Sequence, residues 1–435
     1  MLFRTFVPEY ELKLHQMNLL RIIIAFVITF CSSYTYAQKY VGGDLSLLTK
    51  YESQGAKYKD KDGVAISDLL VYVKQQGWNT IRVRLFVDPV KGQTITDASN
   101  KKEVVQDLAY VKELGKRIKD TGLYFLLDFQ YSDTYADPGK QWTPEDWQSL
   151  NDTQLQQTVY DYTLNCLQEL NDAGATPDFI QTGNEISYGM LWGAKGTNAN
   201  RCYINSSATN WTRFINLLKQ AGKACREACP SAKIIIHSER AAKTDVLTDF
   251  FDRMKDANLD YDIIGLSYYP YFHGKLTVLA NALTTLENKN YGKQIQIVET
   301  GYPSQWAVPG TTEAVDYAYS VDGQKQFITD LIEMLMEHPL VNGLSWWWAE
   351  ANANGCTGDL KNGWYNAGLF DNSNGKALDA LYEMKRFHGE NAAVKNPAIN
   401  STNDKDWYTI SGSRLTCEPT STKGIFINNG RKIVR

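Results

Sequence analysis

Glu185 and Glu299 are the residues of this sequence best placed to do chemistry. Asp178 to Thr182, D-F-I-Q-T, has the pattern of a short buried strand, and Gly183, Asn184 and Glu185 follow at once. Gln294 to Val298 is a second apolar run, and it delivers Glu299 at its end, ahead of Thr300-Gly-Tyr-Pro303. A carboxylate at the exit of a buried strand is poorly placed for packing. A lone one there usually serves as a salt-bridge partner. Two, one of them beside an asparagine, suit a reaction that needs a proton donor facing a nucleophile or base. Hydrolysis of a glycosidic bond is such a reaction: one carboxyl protonates the leaving oxygen while the other attacks the anomeric carbon or activates water.

Supporting groups can be read nearby. In I-R-V-R-L-F, Arg82 and Arg84 are two apart on a strand and share a face. Inside a fold an arginine needs a partner, and Arg82 is expected to hold Glu299 ionised, because a neighbouring cation favours the carboxylate. An outward-facing pair answered by helix carboxylates is the other reading. Tyr268 is expected to reach the same carboxylate through its hydroxyl. Glu185 must instead keep its proton, which burial and nearby negative charge favour.

The elements that must position these groups alternate along the chain. Strand-like runs occur at Tyr40–Leu48, Thr80–Val87, Tyr124–Phe129, Asp178–Thr182, Lys233–His237, Ile263–Tyr269, Gln294–Val298 and Val341–Trp347. Helical patterns lie at Ile66–Gln76, Lys102–Asp120, Thr153–Asp172, Trp211–Ala228, Thr244–Ala257, Leu276–Asn288, Gly323–Glu337 and Ala377–His388. Eight such alternations predict an α/β fold, a closed (β/α)8 TIM barrel over residues 38–389. A doubly wound open sheet is the competitor, but no glycine-rich phosphate loop follows an early strand.

In such a barrel the reacting groups lie where strands hand over to helices, and the polar, aromatic loops start there. Gln130 to Pro138 carries Asp133 and Asp137, each a candidate hydroxyl contact or turn former. Tyr188 to Trp192, Tyr268 to His273, Tyr302 to Trp306 and Trp346 to Glu350 follow later strands. Eleven Trp and 26 Tyr allow both core packing and ring stacking against sugars, and Trp347, Trp306, Tyr188 and Trp192 are the candidate platforms. Gln130, His237 and Tyr302, at or just beyond the ends of strands three, five and seven, complete the candidate substrate-binding set with Asn184. A formal charge of −4 without clustered cations argues against a nucleic-acid partner.

The ends differ in character. Residues 1–37 read as an N-terminal extension and export signal. Arg21 precedes the apolar run Ile22 to Phe30, and Thr35-Tyr36-Ala37 offers a cleavage site before Gln38. Glu9 and Glu11 suit a leader poorly, so Met17 is the expected start. Cys31 follows a bulky Phe30, which disfavours lipid attachment. The apolar run is too short for a transmembrane helix, so an exported monomer, secreted or surface-associated, is expected. Cys166, Cys202, Cys225, Cys229, Cys356 and Cys417 remain after cleavage. Their even number permits disulfides in an exported chain, and no zinc-like spacing is present. Residues 390–405 read as a linker, and 406–435 as a small β-type tail with glycine turns.

Several motifs together carry a resemblance. G-G-D-L-S-L-L, N-T-I-R-V-R-L-F-V-D-P, D-F-Q-Y-S-D-T-Y-A-D-P, T-G-N-E-I, S-Y-Y-P-Y-F-H-G and V-E-T-G-Y-P are similar to glycoside hydrolase family 53 over roughly Tyr40 to Phe387. These are endo-β-1,4-galactanases of a clan of retaining barrels with glutamates on strands four and seven. The resemblance implies Glu185 as acid/base, Glu299 as nucleophile, Asn184 as partner of the sugar 2-hydroxyl, and galactan side chains of pectin as substrate. Departures occur at Gln130, where the family has His, at Phe272, often Trp, and at Trp346 to Ala349, where Trp347 aligns but the family's Glu is lost. The calcium site of some members has no clear counterpart, and no metal or cofactor is expected. The alternatives are a mannanase or cellulase of the same clan, or a non-catalytic glycan-binding protein. The tail is similar to sorting tails of exported Bacteroidetes-type proteins.

Overall fold

A computed structural model describes residues 38–97, 101–202, 208–358, 360 and 364–389. In the tail it describes 407–409, 414–415, 425–428 and 431–434. The proposed leader and the linker lie outside these residues. The chain divides into two compact units, Met1–Asn391 and Ala392–Arg435.

Eight strands form the first unit's core: β1 (Tyr40–Asp44), β2 (Thr80–Leu85), β3 (Tyr124–Phe129), β4 (Phe179–Thr182), β5 (Lys233–Ser238), β6 (Ile263–Tyr268), β7 (Gln294–Thr300) and β8 (Val341–Trp346). All neighbours pair in parallel, in sequence order, and β8 closes onto β1 through Tyr40↔Gly343. The sheet is therefore the expected TIM barrel. Its strands are nearly all buried because both faces are covered. Packing of β1 on β2 is tight at Gly42, where a Cβ would meet the Thr80 carbonyl oxygen at 1.7 Å.

Helices wrap the outside. Asp152–Asp172 follows β3 and starts with a reciprocal capping box between Asn151 and Gln154. Ala208–Ala228 follows β4 and Val321–Met336 follows β7, the latter capped by Ser320. Beyond β8 the expected single helix is instead a short one, Asp379–Glu383, continued by a 3-10 turn, Met384–His388. The first strand also ends early, at Asp44, whose Oδ1 accepts from both the Ser46 backbone N–H and its hydroxyl and turns the chain into the helix Leu48–Ser53.

Alternation along the strands sorts side chains into two layers. Leu126, Phe179, Ile235, Ile263 and Val298 form a small apolar cluster in the lumen, against Tyr40 and Tyr124. One step of alternation further on, the same strands present Asp128, Gln181 and His237, and β6 presents Ser267 a step beyond Gly265. Register matters most at β7. Leu266 pairs with Ile297, but Ser267 pairs with Glu299, so Val298 is an extra residue in the ladder. Such a bulge re-aims the side chains beyond it. Ile297 packs outward into the main core while Val298 and then Glu299 both face the lumen.

In the second unit, Trp407–Thr409, Arg414–Leu415, Ile425–Asn428 and Arg431–Val434 form an antiparallel four-stranded sheet. Among the described residues, no helix is long and apolar enough to cross a membrane. Cys166, Cys202, Cys225 and Cys229 are buried free thiols. The Cys417 side chain lies outside the described residues.

Candidate active site

Glu185 and Glu299 line one cavity of about 540 Å³ at the C-terminal mouth of the barrel, with Asn184, Asp137, Glu103, Glu239, Tyr269 and Trp347 among its walls. The chain reaches Glu185 by a sharp turn off β4. Gly183 (φ +97°) and then Glu185 itself (φ +48°) lie in the left-handed region, which costs a non-glycine residue energy and recurs at functional sites. The turn is pinned by Gly183 N–H donating to Phe129 O at 3.0 Å and Ile186 N–H to His237 O at 3.1 Å.

The two carboxyls have different surroundings. Arg82 Nη2 lies 2.9 Å from Glu299 Oε1, and the Tyr269 hydroxyl donates to Glu299 Oε2 at 3.1 Å. Among the described residues no cation pairs with Glu185. Ser267 Oγ donates to its Oε1 at 2.7 Å, and Ser267 in turn meets His237 Nε2 at 2.8 Å. Burial pushes Glu299 up to about 7 against the pull of Arg82. Burial first, then the charges of Glu299 and Glu239, push Glu185 far above the usual carboxylate range. Of the two, Glu185 holds its proton more tightly.

Behind them a buried polar cluster fixes the geometry. Arg82 also binds Asp44 (2.8 Å) and Asp128 (2.9 Å). Its Nη2 donates to Asn184 Oδ1 at 2.9 Å, and Asn184 Nδ2 donates to Ala136 O at 2.8 Å, leaving one amide hydrogen for a ligand. His237 is fully buried, and its Nδ1 lies 3.0 Å from Asn184 Oδ1 and 3.0 Å from Gln181 Nε2. Burial and Arg82 keep its imidazole neutral. Gln130 binds Asp128 and accepts from Ala136 N–H at 2.9 Å, so it braces the cluster and the wall residue Ala136 from behind without lining the cavity itself.

Several sequence expectations land elsewhere. Tyr268 does not reach Glu299. Its hydroxyl donates to Gly274 O at 2.7 Å, because alternation from the inward Ser267 sends residue 268 out and Tyr269 in. Arg84 pairs with Asp44 at 3.5 Å and donates to the Tyr135 hydroxyl at 2.7 Å, with its guanidinium 4.6 Å from the Trp347 ring centre. Tyr188 is covered by the guanidinium groups of Arg201 (4.2 Å) and Arg240 (4.1 Å) and is no free platform. Trp192 is 2 % exposed and donates to Tyr188 O. Tyr302 is buried, stacked on Tyr319 and bonded to Tyr317 O. Asp133 accepts from the Asp88 and Glu145 backbone N–H groups and so forms turns. Trp306 is 42 % exposed, outside the cavity lining. Asp137 and Trp347 remain on the wall. Residues the sequence reading missed are Asp44, Asp128, Glu103, Glu239, Ser267, Tyr269 and Gln141, whose Nε2 donates to Asn184 O at 2.7 Å. Inward alternation from Arg82 along β1 and β3 could have found the first two.

A parallel barrel with a buried carboxyl pair at its C-terminal mouth, one member held by an arginine, has the groups that glycoside hydrolysis needs. The sequence profile of Glycosyl hydrolase family 53 matches residues 40–384, and the chain belongs to that family. It is 31% identical over 362 residues to a probable arabinogalactan endo-β-1,4-galactanase A of Neosartorya fischeri, covering 79% of this chain and 94% of that one. To an arabinogalactan endo-β-1,4-galactanase of Cellvibrio japonicus it is 34% identical over 292 residues, covering 66% and 70%. The solved catalytic domain from Ignisphaera aggregans, of the same family, superposes with a TM-score of 0.68 at 33% identity, covering 80% of this chain and 95% of that one.

Proposed function

We propose that the protein is an exported endo-β-1,4-galactanase that hydrolyses galactan and arabinogalactan chains with retention of configuration. The observation that carries this reading is the asymmetry of two glutamates in one cavity. Glu299, oriented by Arg82 and Tyr269, attacks the anomeric carbon. Glu185, the stronger proton holder, protonates the leaving oxygen. Water then enters, Glu185 removes its proton, and the glycosyl–Glu299 ester is hydrolysed. Asn184 offers its remaining amide hydrogen to the 2-hydroxyl. Trp347, whose ring lies against the Arg82 and Arg84 guanidinium groups, supplies an apolar wall for the ring at the cleavage point. The names of the relatives support galactan over other β-1,4-glycans.

The test is reducing-end release and viscosity loss on β-1,4-galactan, beside mannan and cellulose, with proton NMR of the first-formed anomer. Rapid viscosity loss on galactan alone, with a β-anomer first and none from Glu299→Gln, is expected. Cleavage of mannan or cellulose instead overturns the substrate, and an α-anomer first overturns retention. Binding without product release would leave a glycan-binding protein.

A further inference from the structure

Glu103 is a carboxylate in the cavity with no evident structural task. It ends the 3-10 turn Lys101–Glu103, between β2 and the helix Leu108–Asp120. That segment is clamped on both sides. Gln93 Nε2 donates to Val104 O at 2.8 Å, Phe86 N–H donates to Gln106 O at 2.9 Å, and the Val104 side chain is fully buried. The backbone next to Glu103 is therefore fixed, and its side chain lies on the wall that it shares with Tyr135 and Trp348.

Yet Glu103 makes no hydrogen bond or ion pair with any described residue. Its neighbours are engaged otherwise: Tyr135 with Arg84, and Arg84 with Asp44. Half-buried acceptors normally find donors. Burial pushes this one up to about 7 even with Arg84 and Lys102 pulling the other way, which marks an acceptor short of donors. A carboxylate accepts two O–H donors side by side, and a substrate lying in this cavity brings pairs of adjacent hydroxyls.

We infer that Glu103 is a specificity-determining residue that receives two neighbouring hydroxyls of a neutral sugar bound beside the cleavage point. The inference rests on the glycan-hydrolase reading of the cavity and adds to it a recognition group outside the catalytic pair. Such a contact is made equally before and during bond cleavage, so it acts on binding and leaves the chemical step alone.

The experiment compares wild type with Glu103→Gln and Glu103→Ala on whichever of β-1,4-galactan, mannan or cellulose the wild type cleaves. A wild type that cleaves mannan and spares galactan defeats the substrate reading but still tests Glu103. KM should rise about tenfold for Glu103→Ala, with Glu103→Gln in between and kcat within about twofold of wild type. Melting temperatures should be unchanged, because the side chain supports nothing in the fold. An unchanged KM in both variants overturns the inference. So does a kcat loss at constant KM, which would put Glu103 in the chemical step.

Discussion

Glu299→Gln should lower the pKa of Glu185, and the size of the change can be worked out. Both carboxyls are buried in one cavity, and the Glu299 charge is a main cause of Glu185 holding its proton. Retaining pairs lie about 5–5.5 Å apart. At that spacing and an effective dielectric of about 20, two unit charges repel by about 3 kcal/mol. Roughly 1.4 kcal/mol corresponds to one pKa unit, so removing the neighbour should bring Glu185 down by about two units. The sign follows from the states involved: the glutamine no longer repels the ionised form of Glu185, so that form becomes easier to reach. The assay is carbon NMR of protein labelled at the glutamate carboxyl carbons, titrated from acid to alkali. The Glu185 signal is assigned by its loss in Glu185→Gln. A Glu185 pKa that stays in place or rises in Glu299→Gln would refute the division of roles between the two.

Three further outcomes are expected. Tyr269→Phe removes a donor that favours the charged form of Glu299, so the acidic limb of kcat/KM should move up by about one pH unit; an unmoved limb counts against the contact. Arg82→Met strands Asp128 and Glu299 in the lumen without their cation and leaves Asp44 only Arg84, and thermal unfolding should show a loss of about 3–5 kcal/mol or more. Stability should also fall as pH rises from about 7 to 9. Glu299 and Glu350 are raised to about 7 and about 8, well above unfolded carboxyls, so the folded state holds the extra protons and loses that advantage as they leave. The neutral His237 and His273 act in the opposite sense only below the ordinary histidine range. A melting temperature that climbs over this pH window would contradict the assignment.

Much of the fold was legible because its signals are local. Each strand is an apolar run bounded by turn residues, and each glutamate follows its run directly. The hidden part depends on register. A single extra residue at Val298 decides that Glu299 faces inward, and alternation through Ser267 decides between Tyr268 and Tyr269. Both facts appear only once the strands are paired. The aromatic platforms failed for another reason. Tyr188 and Trp192 have the loop company of sugar-binding rings, but their partner Arg201 lies well along the chain, and nothing local announces that the rings are already covered. Glu103 was passed over because a glutamate in a lysine-rich turn looks like ordinary surface.

Arg82 ties the site to the way the chain is assembled. From β2 it grips Asp44 on β1 and Asp128 on β3, its neighbours in the sheet, and Glu299 on β7, across the lumen. The first two links join adjacent strands. The third spans more than two hundred residues of sequence and can form only when the far side of the sheet has come round. Contacts of that separation carry a large loop-closure cost and tend to form late. A refolding chain would thus acquire helices, and most of its strands, before Arg82 meets Glu299. Return of activity reports the moment the ring shuts, and it makes the enzyme its own gauge of completed folding.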